Sequence, residues 1–232
     1  MGGHGSSKHL KRPASGKFAG LHRKGSVWIE KPLPGPHSKK ACIPLSTLVR
    51  DLLKLADSSS QSGKLVRSGK ILVDGRRVSK VKLPVGLMDL ISIPDNQQNY
   101  LVGVHKGVLK LYSVKDVSVK HCKVVGKKIA GKDKIQLALH DGRVVLTSDK
   151  GIKVGDTLKL AVPKQEVKGV LKLDKGALCL VYLGRHSGEV GVLQEVIALE
   201  GSRHKDARLK VGDSELVTRK DYLFVIETGL FD

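Results

Sequence analysis

The pattern with the most chemical potential is Gly126-Lys127-Lys128-Ile129-Ala130-Gly131-Lys132-Asp133, which follows an apolar run and satisfies the spacing of a phosphate-cradling loop. In such a loop, backbone N–H groups and the lysine hold phosphate oxygens, and a Ser or Thr directly after the lysine ligates magnesium. Here Asp133 stands in that place, and no long amphipathic helix follows to turn an N-terminal dipole toward the anion. The segment reads instead as a basic loop whose Lys127 and Lys128 touch RNA.

Other catalytic groupings are missing. The nine histidines are scattered, with no i, i+4 pair of a zinc protease, and there is no G-x-S-x-G elbow. Cys42, Cys122 and Cys179 lie far apart, which argues against a zinc site or a disulfide framework and for buried thiols in a reducing compartment. The expectation is no catalytic residue, no metal and no cofactor. His4, His9, His22 and His37 fall in a basic stretch, where hydrogen bonding to or stacking on RNA suits them better than metal binding.

Charge states the partner class. The chain has 232 residues and a net charge of +20, from 42 Lys and Arg against 22 Asp and Glu. A field of that sign attracts a polyanion. The membrane alternative is weak, because no apolar run approaches the roughly 20 residues of a bilayer span and the opening residues lack the apolar core of a secretory signal. The charge is uneven: residues 1–42 carry +8, 43–94 carry +5, 95–169 carry +8 and 170–232 carry −1. Nucleic acid should therefore meet the first three segments more than the last. Aromatics make up 3% of the chain, too few for a reader of unpaired bases. The expected mode is phosphate and shape recognition of folded RNA.

The elements that would position these charges follow from patterning. Residues 1–40 are rich in Gly, Pro, Ser and Lys without periodicity, which predicts a tail disordered until it meets phosphate, with Phe18 and Trp28 free to insert into RNA or pack on a neighbour. Leu45, Leu48, Val49, Leu52, Leu55 and Ala56 fall at helical spacing after Pro44. Ser58 to Ser60 offer N-caps for a second short helix ended by Gly69. Ile71-Leu72-Val73, Asp74-Gly75 and Arg76-Arg77-Val78 form a hairpin signal. After a bend at Pro84-Val85-Gly86 comes a strand from Asp89 to Pro94. Strands then recur from 100 to 162, with a second Asp-Gly at Asp141-Gly142, which predicts a small barrel or sandwich, and again from 177 to 227, which predicts a compact SH3-like barrel. Tyr100, Tyr112, Tyr182, Tyr222 and Phe224 sit in strand patterns and are expected in cores.

In their order along the chain, these blocks resemble the S4e family of small-subunit ribosomal proteins of archaea and eukaryotes. The resemblance is carried by Lys8-His9-Leu10-Lys11-Arg12, Gly35-Pro36-His37, the Gly69–Ile93 stretch with Val73-Asp74-Gly75-Arg76, His140-Asp141-Gly142-Arg143, Gly184 to Val192, and the closing Thr218–Ile226. It implies a mainly β protein with a small α+β module. The modules would be a basic N-terminal extension (1–42), an alpha-L, S4-like RNA-binding domain (43–94), a central β-barrel-like domain (95–169) and a C-terminal SH3-like KOW barrel (170–232). In the KOW turn the resemblance calls for an Asn and a second base, where this chain has His186 and Glu189. The length is nearer the archaeal members.

The implied function is a structural constituent of the small subunit, cytoplasmic within the ribosome. Its partners would be small-subunit ribosomal RNA and neighbouring ribosomal proteins, with no membrane and no homo-oligomer. The expected RNA contacts are Lys8, His9, Lys11, Arg12, Lys17, Arg23, Lys24, His37, Lys39 and Lys40 in the tail. Further along they are Arg67, Lys70, Arg76 and Arg77 in the second module and Lys127, Lys128 and Arg143 in the third. Two other classes compete: an RNA-modifying enzyme anchored by an alpha-L domain, and a translation or transcription factor using its barrel to bind protein. The first needs a catalytic domain that no segment here is large enough to supply.

Overall fold

The computed structural model describes residues 7–22, 24–131, 134–198, 204–212 and 214–231. The described residues from 7 to 40 are not a free tail. Leu10, Phe18 and Ala19 are buried, and Phe18 and Ala19 join the main core. The chain doubles back so that the Arg12 and Ile29 amides donate to the Val27 and Leu10 carbonyls. Three apolar side chains and a short antiparallel contact thus offset the ordering entropy that composition alone made prohibitive.

Strand β1 (Cys42–Pro44) leads into α1 (Leu45–Thr47), which widens into a π turn over Leu48–Leu52 with the Leu53 amide reaching the Leu48 carbonyl. Helix α2 (Ser59–Arg67) starts at a capping box in which Ser58 and Gln61 satisfy each other's backbone amides. Gly69 then turns the chain at φ 71°. β2 (Leu72–Val73) and β3 (Arg76–Arg77) form the expected hairpin. Asp74 and Gly75 both take positive φ, 50° and 69°, the requirement of a tight two-residue turn. Where a bend was expected, β4 (Pro84–Gly86) pairs antiparallel with β1.

Next come β5 (Leu90–Ile93), β6 (Gln98–His105) and β7 (Val108–Ser113). These strands complete a sheet ordered β3-β2-β5-β6-β7, so it runs on beyond residue 94. β8 (Val119–Ile129), β9 (Ile135–Leu139), β10 (Val144–Thr147), β11 (Thr157–Ala161) and β12 (Glu166–Leu171) form a second sheet ordered β10-β9-β8-β11-β12. The third sheet contains β13 (Leu178–Val181), β14 (Val190–Ala198), β15 (Lys205–Val211), β16 (Ser214–Arg219) and β17 (Leu223–Val225), ordered β16-β15-β14-β13-β17.

Each sheet has its own apolar cluster, but Leu180, Phe224 and Ile226 of the C-terminal segment belong to the core of the first sheet. Phe224 is fully buried, while Tyr100, Tyr112, Tyr182 and Tyr222 are half-buried at the edges of the cores. All three cysteines are buried, free thiols.

Candidate nucleic-acid interface

Charged side chains divide into two populations, one buried and neutralised, the other exposed. The buried set centres on Lys120 of β8, which is 1% exposed. Its ammonium lies 2.7 Å from Asp74, 2.6 Å from Asp89 and 3.2 Å from Asp141, an acceptor for each of its three protons. The Arg143 guanidinium closes the ring, pairing with Asp74 and standing 3.2 Å from Asp141. His37 Nε2 sits 2.9 Å from Asp89 Oδ2, which also accepts from the Gly86 amide at 2.9 Å. Asp74 accepts from the Leu90 amide at 3.1 Å.

The two Asp-Gly turns thus face each other across Lys120, tying the extension, the first sheet and the second sheet together. Burial alone would raise the Asp89 and Asp141 carboxyls, but Lys120 overrides it and holds both below the usual carboxylate range, helped at Asp89 by His37. The carboxylates in turn hold the Lys120 ammonium well above its ordinary value against its own desolvation.

His140 flanks this cluster. Its Nδ1 accepts from the Lys123 amide at 3.3 Å and its Nε2 donates to the Leu87 carbonyl at 3.1 Å, a pattern only the neutral ring satisfies. Burial pushes it down to about 4. The Phe224 ring meets it edge-on at 5.3 Å, bringing the C-terminal module to the same junction. Cys122, His140 and Asp141 come within 4.8 Å of one another in a spacing a metal could use. Every one of these donors is already engaged, and a cation there would face the Lys120 ammonium, so the set does not suit a metal.

Three expected RNA contacts lie in this internal population. Arg12 is buried, its guanidinium hydrogen-bonded to Ser15 and to the Leu21 and His22 carbonyls. His37 and Arg143 are members of the Asp cluster. Their inward direction has one physical cause: a base next to a turn can look inward when a carboxylate or carbonyl set is available there. Lys127 is also engaged, donating to the Lys150 and Ile152 carbonyls at 2.8 and 2.7 Å. Gly126–Ile129 lies in extended β8 rather than in a phosphate loop, while Lys132 and Asp133 fall outside the described residues.

The exposed population holds most of the remaining candidates. Lys8, Lys11, Lys17, Lys24, Lys39, Lys40, Arg67, Arg77 and Lys128 are exposed and, among the described residues, form no ion pair. Arg76 is exposed and reaches the Pro163 carbonyl at 3.2 Å. Lys70 is exposed but paired with Asp95 at 2.7 Å. Trp28 is 53% exposed, with His9 edge-on at 5.6 Å and the Lys11 ammonium 5.9 Å from its ring centre. Arg23 and His4 lie outside the described residues. Among the described residues, no helix is long and apolar enough to cross a membrane.

Comparison with known proteins agrees with this organisation. Residues 4–40 match the RS4NT domain, 44–91 the S4 domain and 96–167 the ribosomal family S4e. Small ribosomal subunit protein eS4 of Methanothermobacter thermautotrophicus is 40% identical over 225 residues, covering 95% of this chain and 93% of that protein. The eS4 protein of Methanocaldococcus jannaschii is 39% identical over 232 residues, covering 96% and 95%. The crystal structure of 30S ribosomal protein S4e from Thermoplasma acidophilum superposes with a TM-score of 0.70 at 33% identity, over 83% of this chain and 98% of that one. The chain belongs to the ribosomal S4e family, structural proteins of the small ribosomal subunit and not enzymes.

Proposed function

We propose that this protein binds folded small-subunit ribosomal RNA through phosphate and shape contacts, as a cytoplasmic, monomeric scaffold among neighbouring ribosomal proteins. The observation that carries this reading is the separation of charge. The buried cluster sets three carboxylates against Lys120, Arg143 and His37, leaving the excess of +20 on the surface. Much of it stands on the extension and on the α2 and β2–β3 turn region, as Lys8, Lys11, Lys17, Lys24, Lys39, Lys40, Arg67, Arg76 and Arg77. Arg12, His37 and Arg143 act one step back, fixing the backbone that presents those cations. The modules proposed are residues 1–42, 43–94, 95–169 and 170–232, with the β6–β7 hairpin of the third docked as outer strands of the second module's sheet.

The test is binding of the full chain to transcribed small-subunit ribosomal RNA across a salt series. The logarithm of affinity should fall by roughly 0.7–0.9 per log unit of salt for each phosphate contact. Removing residues 1–40 should flatten that slope. An unchanged slope would take the extension off the binding surface. Absence of the protein from small subunits after a moderate-salt wash in a gradient would defeat the ribosomal placement itself.

A further inference from the structure

The C-terminal module carries no net positive charge, and its 184–188 turn is consumed by packing. His186 pairs with Glu189 at 3.3 Å, Ser187 donates to the Tyr182 carbonyl at 2.9 Å and accepts at its own carbonyl from Gly107 at 3.2 Å. A Cβ on Gly188 would stand 2.6 Å from the Lys106 backbone, so the turn is pressed against the β6–β7 hairpin. If this module touches RNA, another surface must do it.

Strand β8 offers one. Lys120 and Lys123 lie on the same strand, and both are nearly excluded from solvent. Lys120 faces three carboxylates; Lys123, among the described residues, faces none at contact distance. The Lys123 ammonium is in a residue 5% exposed. It donates once, to the Asp221 main-chain carbonyl at 2.6 Å, and lies 5.1 Å from the Tyr182 ring centre. An ammonium has three protons to place, and a buried one with a single neutral acceptor is badly compensated. It lines a cleft of about 340 Å³ between the central and C-terminal modules, with Lys205 and Lys220 also on the wall.

We propose that this cleft binds a backbone phosphate of ribosomal RNA, held by Lys123 at the base and by Lys205 and Lys220 at the mouth. The assignment rests on the RNA-binding reading above and adds a contact shared by the central and C-terminal modules. A phosphate oxygen is an acceptor of the right charge for the vacant protons, and the apolar walls supplied by Val124 and Val154 strengthen the attraction by excluding water.

The surrounding groups leave cations in excess. The 3-10 turn 220–222 contributes Lys220, Asp221 and Tyr222, β15 and its approach contribute Lys205 and His204, and β13 contributes the neutral Cys179. The Asp221 carboxylate is mostly exposed and sits 3.3 Å from His204. His140, behind the Lys123 amide, is neutral. Burial pushes the free Lys123 ammonium down to about 8, so an anion arriving there should draw a proton with it.

The experiment compares the full chain with Lys123→Met and with Lys205→Ala/Lys220→Ala, binding to transcribed small-subunit ribosomal RNA over a salt series. Each variant should lose roughly one contact's worth of salt slope, about 0.7–0.9, additively with removal of residues 1–40. Calorimetry at pH 8 in two buffers of different ionisation heat should show uptake of about half a proton per wild-type complex, absent in Lys123→Met. Should Lys123→Met fail to fold, the mouth double variant and the wild-type proton uptake still decide. Unchanged slopes and no proton uptake overturn the proposal. Inorganic phosphate alone supplies a second arm: if it raises the Lys123 titration midpoint, followed by the Cε NMR signal, while RNA binding leaves that signal unmoved, RNA is the wrong occupant. Loss of all RNA binding by the wild-type chain would defeat the RNA-binding reading as a whole, a result distinct from the loss of this one contact.

Discussion

Replacing Lys120 by Met keeps the length and shape of the side chain and deletes only the charge that three carboxylates share. Asp74, Asp89 and Asp141 would remain buried, with the Arg143 guanidinium beside Asp74 and Asp141 and the His37 ring hydrogen-bonded to Asp89. Removing one member of a buried ion pair typically costs ~3–5 kcal/mol, because the partner charge is left uncompensated. Proton uptake by the orphaned carboxyls limits the loss, so the lower half of that range applies where they can protonate. For a chain of this length, each kcal/mol moves the melting temperature by about 2–4 °C, which makes the expected drop about 6–20 °C at pH 7.

The pH dependence supplies a second signature. In the wild type, Asp89 and Asp141 have depressed folded values, so their contribution is complete above about 4 and is lost below it. In the variant, burial and mutual repulsion prevail, the folded carboxyls bind protons more readily than the unfolded ones, and the loss of stability relative to wild type should shrink as pH falls from 7 toward 5. Urea unfolding at pH 7 and pH 5 measures both effects, with exposed Lys128→Met as the control expected within about 0.5 kcal/mol of wild type. A Lys120→Met protein within about 1 kcal/mol of wild type at pH 7, or one whose loss relative to wild type is the same at both pH values, would refute the view that this cluster joins the modules.

Two other perturbations read the same junction. His140 takes a proton near 6.5 when unfolded and only near 4 when folded, so the unfolded state binds more protons between those values. Its contribution of ~3 kcal/mol is therefore full above about 6.5 and lost as pH falls to about 4. Asp74, raised by burial and by Asp89 beside it, works in the opposite direction, and His121, lowered by burial, in the same one. The pH-dependent difference between wild type and His140→Gln is thus the proper readout, and parallel curves would reject the neutral-ring assignment. Gly86→Ala would put a methyl carbon 2.4 Å from the buried His37 ring, costing ~1–3 kcal/mol. Adding His37→Ala should then cost less than it does alone, and strict additivity of the two melting shifts would show that they do not meet.

What the sequence made legible was local. The Asp74-Gly75 turn, the Ser58 cap and the Gly69 stop are short-range patterns, and each stands where its residues place it. The strands β6 and β7 were also readable as strands, yet nothing in an alternating pattern names the neighbour: β6 pairs with β5 and β7 with β6, and neither joins β8. β1 and β4 are three residues each, too short for any periodicity, and β12 and β16 carry little alternation to mark them. The Lys120 cluster was illegible for the same reason. Its members are separated by up to about a hundred residues, and a buried lysine in a basic chain looks like any other. Arg12, His37 and Arg143 were recognised as important residues, but the direction in which each faces is decided by partners distant in sequence.

The inward and outward charges also respond differently to salt, and this separates binding from folding. Exposed cations more than about 8–10 Å apart are screened at ordinary ionic strength, and their attraction for phosphate declines further as counterions compete. The Lys120 cluster is near neutral, buried and made at contact distance, so screening ions act on it weakly. Salt that strips the protein from RNA should therefore leave its fold intact, and dissociation in a salt wash reports the surface charge rather than unfolding. Moving one of the buried acids to the surface would couple the two. The liberated cation would leave the junction without its counter-charge, and the added anion would stand among the groups that meet phosphate. Burying the acids at the junction keeps the modules together and leaves the field outside positive.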